Sequence, residues 1–185
     1  MPVVKRIAVY PGVFDPVHFG HLDVVQRGCR LVDRLIVGVG DNPEKAPLFT
    51  QEERVEILQR AVKAYPNVEV KPFTGLAVRF VRSLGAHIML RGIRTTSDME
   101  YEFTMSIMNA MMDPDIETIF LMAHQQLSHV SGTLLRQIAT LGGNLEPFVS
   151  PEIRDLLVAR TAGSGQQAAG ALQRISRKRH GGKDR

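Results

Sequence analysis

Residues 11–21 read Pro-Gly-Val-Phe-Asp-Pro-Val-His-Phe-Gly-His, and an apolar run, Val3-Val4-Lys5-Arg6-Ile7-Ala8-Val9-Tyr10, leads directly into them. The run predicts a strand over 3–10, and Pro11-Gly12 a turn. From His21 to about Val32, the spacing of Leu22, Val25 and Leu31 predicts a helix. Strand, short loop, helix is the order that builds a phosphate site. A helix start presents unpaired backbone N–H groups and the positive end of its dipole. Gly20 lets backbone approach a ligand closely, and His18 and His21 add two imidazoles at the same point.

Outward from this stretch, strand and helix signals alternate. Further strands are expected at Arg34–Gly40, Val68–Pro72, His87–Leu90 and Ile116–Ala123. Thr50-x-x-Glu53 reads as a capping box opening a helix to about Ala64, and Leu76–Leu84 as a second helix. Ser97-x-x-Glu100 reads as another capping box, starting a helix to Met112 that Asp113-Pro114 stops. Ser131 caps a helix ending at Gly142-Gly143, and Ser150-Pro151 starts the last one. Five strands alternating with helices imply an α/β chain with a Rossmann-like, doubly wound, five-stranded parallel sheet.

The chain has 185 residues, 44 % of them hydrophobic, enough for one domain with its own core. A single cysteine, Cys29, excludes an intramolecular disulfide and suits a reducing compartment. No apolar stretch reaches the length of a membrane span and the N-terminus lacks a signal-peptide core, so a cytoplasmic protein without membrane contact is expected. The net charge of +4 is concentrated in the tail, where Arg174, Arg177, Lys178, Arg179, Lys183 and Arg185 face only Asp184. Residues 161–170 have linker composition. We therefore expect a globular domain over 1–160 and a basic, disordered tail over 161–185, with nucleic-acid contact at most a property of the tail.

In sheets of this kind ligands sit beyond the carboxyl ends of the strands, where the strand order reverses. The conspicuous polar residues all fall there. His18 and His21 follow the first strand, Lys45 the second, Thr74 the third, Arg91 and Arg94 the fourth, and Ser131 and Thr133 the fifth. Gly38-x-Gly40 lacks the third glycine and helix start of a dinucleotide fingerprint, and there is no GxxxxGK[ST], no HExxH and no paired-cysteine metal motif. No nucleophile stands beside a base. What remains is a set of phosphate binders, which suits group transfer to an acceptor phosphate. With a second pKa near 6 such a phosphate is already anionic and needs no general base. Catalysis would then rest on positioning and preorganised charge. His21 is the expected transition-state donor and His18 a phosphate partner. Lys45 lies in a proline-punctuated loop, Arg91-Gly-Ile-Arg94 offers two guanidiniums, and Ser131-Gly-Thr133 a second amide-rich helix start. Mg²⁺ is expected on the nucleotide, held by phosphates and water. His87, His124, His129 and His180 have no evident partner, Met105, Met108, Met111 and Met112 read as a core or subunit contact, and Asp98, Glu100 and Glu102 as ordinary first-turn acids.

The opening stretch resembles the GxFDPxHxGH signature of the nucleotidyltransferase superfamily. Together with Pro47-Leu-Phe-Thr-Gln-Glu-Glu-Arg54, Arg91-Gly-Ile-Arg94, Asp98-Met-Glu-Tyr-Glu102, Asn109 and Val130-Ser-Gly-Thr133, it is similar to the bacterial phosphopantetheine adenylyltransferases over residues 5–158. The resemblance implies adenylyl transfer from ATP to 4′-phosphopantetheine, giving dephospho-coenzyme A and pyrophosphate, in a homohexamer. It implies an acceptor site at Val13, Lys45, Thr74, Gly75, Leu76 and Arg91. ATP would meet Phe14, His21, Gly92, Arg94, Glu102, Leu127, Ser128, His129, Val130, Ser131, Gly132 and Thr133. Four residues depart from that family's pattern. Val13 replaces a Thr or Ser, His18 a Thr, Ala46 a second lysine, and Leu127 an aromatic residue. His18 completes a His-x-Gly-His, as in nicotinate-mononucleotide adenylyltransferases, so a nucleotide acceptor is the alternative. A nucleotide-sensing or RNA-binding role on the same scaffold is a further reading.

Overall fold

The structure, a computed structural model, describes residues 5–42 and 46–162. The five apolar runs form β1 (Ile7–Gly12), β2 (Arg34–Gly40), β3 (Val68–Phe73), β4 (Ile88–Ile93) and β5 (Glu117–Met122). They pair in parallel in the order β3-β2-β1-β4-β5. The chain winds from β1 toward β3, then returns to place β4 on the other side of β1. The crevice of the reversal therefore opens between the carboxyl ends of β1 and β4.

The helices between and after the strands are α1 (Phe19–Gly28), α2 (Gln51–Ala61), α3 (Ala77–Ser83), α4 (Thr96–Met112) and α5 (Gly132–Thr140). A sixth, α6, covers residues 151–162. Alternation along the strands feeds two cores. Ala8 and Tyr10 of β1 with Leu35, Val37 and Val39 of β2 point to one face, against Val24, Leu58, Leu135 and Leu157. Val9 and Ile36 point to the other, against Val78, Val81, Met89 and Ile116.

Helix α4 is the exception to burial. Asn109 is its one buried residue, donating to the Met89 sulfur at 3.6 Å. Tyr101, Phe103, Ile107, Met108, Met111 and Met112 are exposed, so these methionines are not core residues of the monomer.

Several boundaries differ from expectation. Pro11-Gly12 is no turn: β1 runs through both, in register with Gly38 and Val39. A parallel strand can take the proline where its missing N–H is not needed. Helix α1 starts at Phe19 because His18 caps it, and stops at Gly28. β4 extends to Ile93, so Arg91 and Gly92 belong to the strand. The Thr50 capping box forms with both arms, at 2.8 and 3.3 Å. The Ser97 box does not. Thr95 caps α4 instead, accepting from the Asp98 N–H at 3.2 Å. The expected tail over 161–185 begins too early, because Thr161 and Ala162 end α6 and Thr161 is buried, donating to the Leu157 carbonyl at 2.8 Å; residues 163–185 and Lys45 lie outside the described residues.

Candidate active site

The loop after β1 is shaped by Phe14, whose φ of 54° lies in the left-handed region. Such a backbone is costly for a residue with a side chain. The buried ring offsets it by packing edge-on against Tyr10 (centroids 5.3 Å) and His21 (4.9 Å). Four residues on, His18 caps α1. The His21 N–H is shared between the His18 carbonyl oxygen at 2.9 Å and its Nδ1 at 3.3 Å. Because Nδ1 accepts, the neutral ring carries its proton on Nε2. The two imidazoles stack at 3.6 Å.

Burial pushes His18 down to about 3, helped by the nearby Arg94 charge. Burial also holds His21 well below the ordinary value, with His18, Arg94 and Arg91 adding to it. Both rings are therefore neutral hydrogen-bonding groups at physiological pH. His21 Nδ1 is buried with no partner among the described residues. Linkage gives a sign. Between the ordinary 6.5 and about 3 the unfolded chain binds a proton at His18 that the folded chain does not. Stability from this group is complete above about 6.5 and falls with pH by about 1.4 kcal/mol per unit. We expect Tm to drop between pH 7 and pH 5 in calorimetry, and His18→Asn, which can still cap α1, to flatten that dependence.

From β4, Arg91 crosses to α4 and pairs with Glu102 through Nε (2.7 Å) and Nη2 (2.5 Å), while Nη1 donates to the Pro11 carbonyl at 2.7 Å. Burial opposes its charge, but the Glu102 carboxylate outweighs that and raises the guanidinium pKa. Arg94 pairs with Asp98 at 2.8 Å and donates to the Val130 carbonyl at 2.7 Å. Asp98 and Glu102 are thus more than first-turn acids. Spaced by four, they share the inner face of α4 and hold both arginines.

The opposite wall is the start of α5, where the Ser131 hydroxyl accepts from the Leu134 N–H at 3.3 Å. A Cβ on Gly132 would lie 2.8 Å from the Asp15 carbonyl oxygen, so only glycine lets this helix start sit against the loop. Asp15 is buried and joins three segments. It accepts from the backbone N–H groups of Leu48 (2.8 Å) and Phe49 (3.0 Å), and from Arg136 Nη1 at 3.0 Å.

These groups enclose a cleft of about 440 Å³ at the strand-order reversal. It is lined by Val13, Phe14, His18, His21, Arg91, Gly92, Arg94, Glu102, Ser131, Gly132 and Thr133 of the expected site residues. Thr74, Gly75, Leu76, Leu127, Ser128, His129 and Val130 do not line it. Val130 is buried and His129 packs edge-on to Phe148. Leu76 lines a second groove, with Arg79, Arg82 and Met112. Sequence reasoning missed Tyr10, Asp15 and Arg136, all in the cleft wall. Burial pushes the Tyr10 phenol up to about 12, so it stays protonated. The spacing Thr133-x-x-Arg136, one helical turn, was the signal available for the arginine. His124, expected to lack a partner, has Nδ1 at 2.6 Å from Asp23 Oδ1, and Asp23 also pairs with Arg27 at 2.8 Å. Among the described residues no group of three or more His, Cys, Asp or Glu could hold a metal ion, and no helix is long and apolar enough to cross a membrane.

Comparison with known proteins agrees with this geometry. The cytidylyltransferase-like family model matches residues 9–138. Phosphopantetheine adenylyltransferase of Ralstonia pickettii is 48 % identical over 163 residues, covering 86 % of this chain and 98 % of the relative. The enzyme of the same name from Rhodopirellula baltica is 51 % identical over 159 residues, covering 84 % and 89 %. Among solved structures, a bifunctional NMN adenylyltransferase/ADP ribose pyrophosphatase from Francisella tularensis superposes with a TM-score of 0.67 at 17 % identity. That match covers 98 % of this chain and 58 % of the other, and shows the shared fold alone. The chain is a nucleotidyltransferase, and it belongs to the phosphopantetheine adenylyltransferase family within the cytidylyltransferase-like proteins.

Proposed function

We propose that this protein transfers the adenylyl group of ATP to 4′-phosphopantetheine, forming dephospho-coenzyme A and pyrophosphate in coenzyme A biosynthesis. The observation that carries this reading is the likeness to enzymes named for that substrate along 98 % of the Ralstonia relative. The cleft supports it with neutral imidazoles and arginines in one wall, and with each carboxylate among its described lining residues engaged by an arginine.

In this mechanism the acceptor phosphate attacks the α-phosphorus in line and pyrophosphate leaves. His21, neutral and at the α1 start, donates to the α-phosphate as charge builds there. His18 offers Nε2–H beside it. The amides of Ser131–Thr133 receive the β- and γ-phosphates. Arg91 and Lys45 hold the acceptor, and Arg94 with Gly92 the nucleotide. Mg²⁺ would neutralise the triphosphate. The cleft carboxylates Asp15, Asp98 and Glu102 are each engaged by an arginine, so phosphate oxygens and water would supply its ligands. The same reading makes the protein a cytoplasmic homohexamer, with the exposed apolar side of α4 as a contact between copies.

Incubation with Mg-ATP and either 4′-phosphopantetheine or nicotinate mononucleotide, followed by pyrophosphate release, tests it. Turnover with the first alone is expected; turnover only with the second keeps the chemistry and discards this acceptor. Lys45→Ala should raise the acceptor KM and leave the ATP KM unchanged. An effect confined to ATP would reverse that assignment.

A further inference from the structure

Arg54 stands near the start of α2, 1 % exposed, yet its hydrogen-bond partners are all main-chain carbonyls. Nη1 donates to Val13 (2.6 Å) and Gly40 (2.8 Å), and Nε to Phe49 (3.1 Å) and Thr50 (3.3 Å). One guanidinium thereby joins the loop after β1, the end of β2 and the segment 46–50 that continues from Lys45. A buried cation is an expensive way to tie a loop, since burial works against its charge. An ordinary core would place a leucine there.

What the four bonds hold is informative. The Val13 carbonyl belongs to the peptide that leads into Phe14, the residue at φ 54° whose ring abuts His21. Ala46, at the other end of the tied segment, has φ 40°. A left-handed backbone is costly for either residue, and persists only where the surroundings fix it. Asp15 grips the same segment from the opposite side, through the Leu48 and Phe49 N–H groups.

We propose that Arg54 is a positioning residue for the acceptor side of the reaction, setting the Val13–Phe14 peptide and the 46–50 segment in the register the acceptor phosphate requires. The identity of that side rests on the functional reading above. Arg54 touches neither substrate; it acts through Val13 and through the segment that Lys45 precedes.

Arg54→Lys keeps a charge but replaces the rigid fork by a single ammonium, which cannot span both pairs of carbonyls. Arg54→Met removes the charge as well; should it fail to fold, the lysine variant decides. Two readouts are taken well below each variant's Tm. Amide hydrogen exchange at Leu48 and Phe49 is expected to quicken by about tenfold, because a charged hydrogen bond that held the segment is gone. The acceptor KM is expected to rise by about tenfold, with the ATP KM within about twofold of the parent. A lower Tm with both KM values unchanged, or an equal rise in both, overturns the proposal. If the parent enzyme does not use 4′-phosphopantetheine, the functional reading falls. Exchange at Leu48 and Phe49 still shows then whether Arg54 holds the segment, and unchanged exchange overturns the proposal.

Discussion

Replacing His21 with alanine lowers kcat by about 10² to 10³-fold, the cost of losing one preorganised donor in a water-poor site, while the ATP KM changes little. The asymmetry follows from the geometry. His21 is buried at the α1 start, stacked on His18 at 3.6 Å, with its pKa held well below the ordinary value. It therefore meets the substrate as a neutral donor, worth most when extra negative charge develops on the α-phosphate. In the proposed mechanism the ground-state triphosphate would keep the α5 amides and Arg94. Steady-state kinetics of His21→Ala with both substrates checks this. A rise confined to KM, with kcat preserved, would show that His21 only binds ATP.

Arg91→Met is expected to combine two losses that a second substitution separates. Glu102, with 12 % of its side chain exposed, would be left as a nearly buried carboxylate without its guanidinium. Removing one partner of such a pair costs about 3 kcal/mol. Activity should fall by about 10²-fold, because the cation that orients the acceptor in the proposed mechanism is gone. Adding Glu102→Gln removes the stranded charge, so urea unfolding of the double variant should recover most of the stability. The activity should stay low. Should activity return together with stability, Arg91 serves the fold and not the substrate.

The strand and helix order was legible because each signal is local. The apolar runs of β1 and β2, the Thr50 box and the Ser131 cap are all set by near neighbours in the chain. The place of the cleft was legible too, since a parallel winding that changes direction must open beside β1. Partner choice was not. Arg91 and Glu102 are eleven residues apart and Asp15 and Arg136 one hundred and twenty-one. Nothing short of the fold says that these charges meet. The sequence reading of Arg91 and Arg94 as phosphate binders did not include the two acids on one helix face that pair with them. The Pro11-Gly12 turn failed for a related reason, because pairing with β2 overrides the local preference of that dipeptide. Arg54 entered the sequence reading only as the end of the family-like stretch 47–54, without a role, since a charged residue in an early helical turn reads as solvated.

Helix α4 illustrates how this architecture divides constraint. Inside, Asp98, Glu102 and Asn109 fix its rotation through polar contacts with the β4 region. Outside, its aromatic and methionine side chains contribute nothing to the core of the chain. Substitutions on the outer face are therefore cheap for folding of the single chain, whereas the inner acids hold the two cleft arginines. Read by folding of the single chain, a scan of substitutions along 96–112 should be tolerant on one side and intolerant on the other, with the helical periodicity between them.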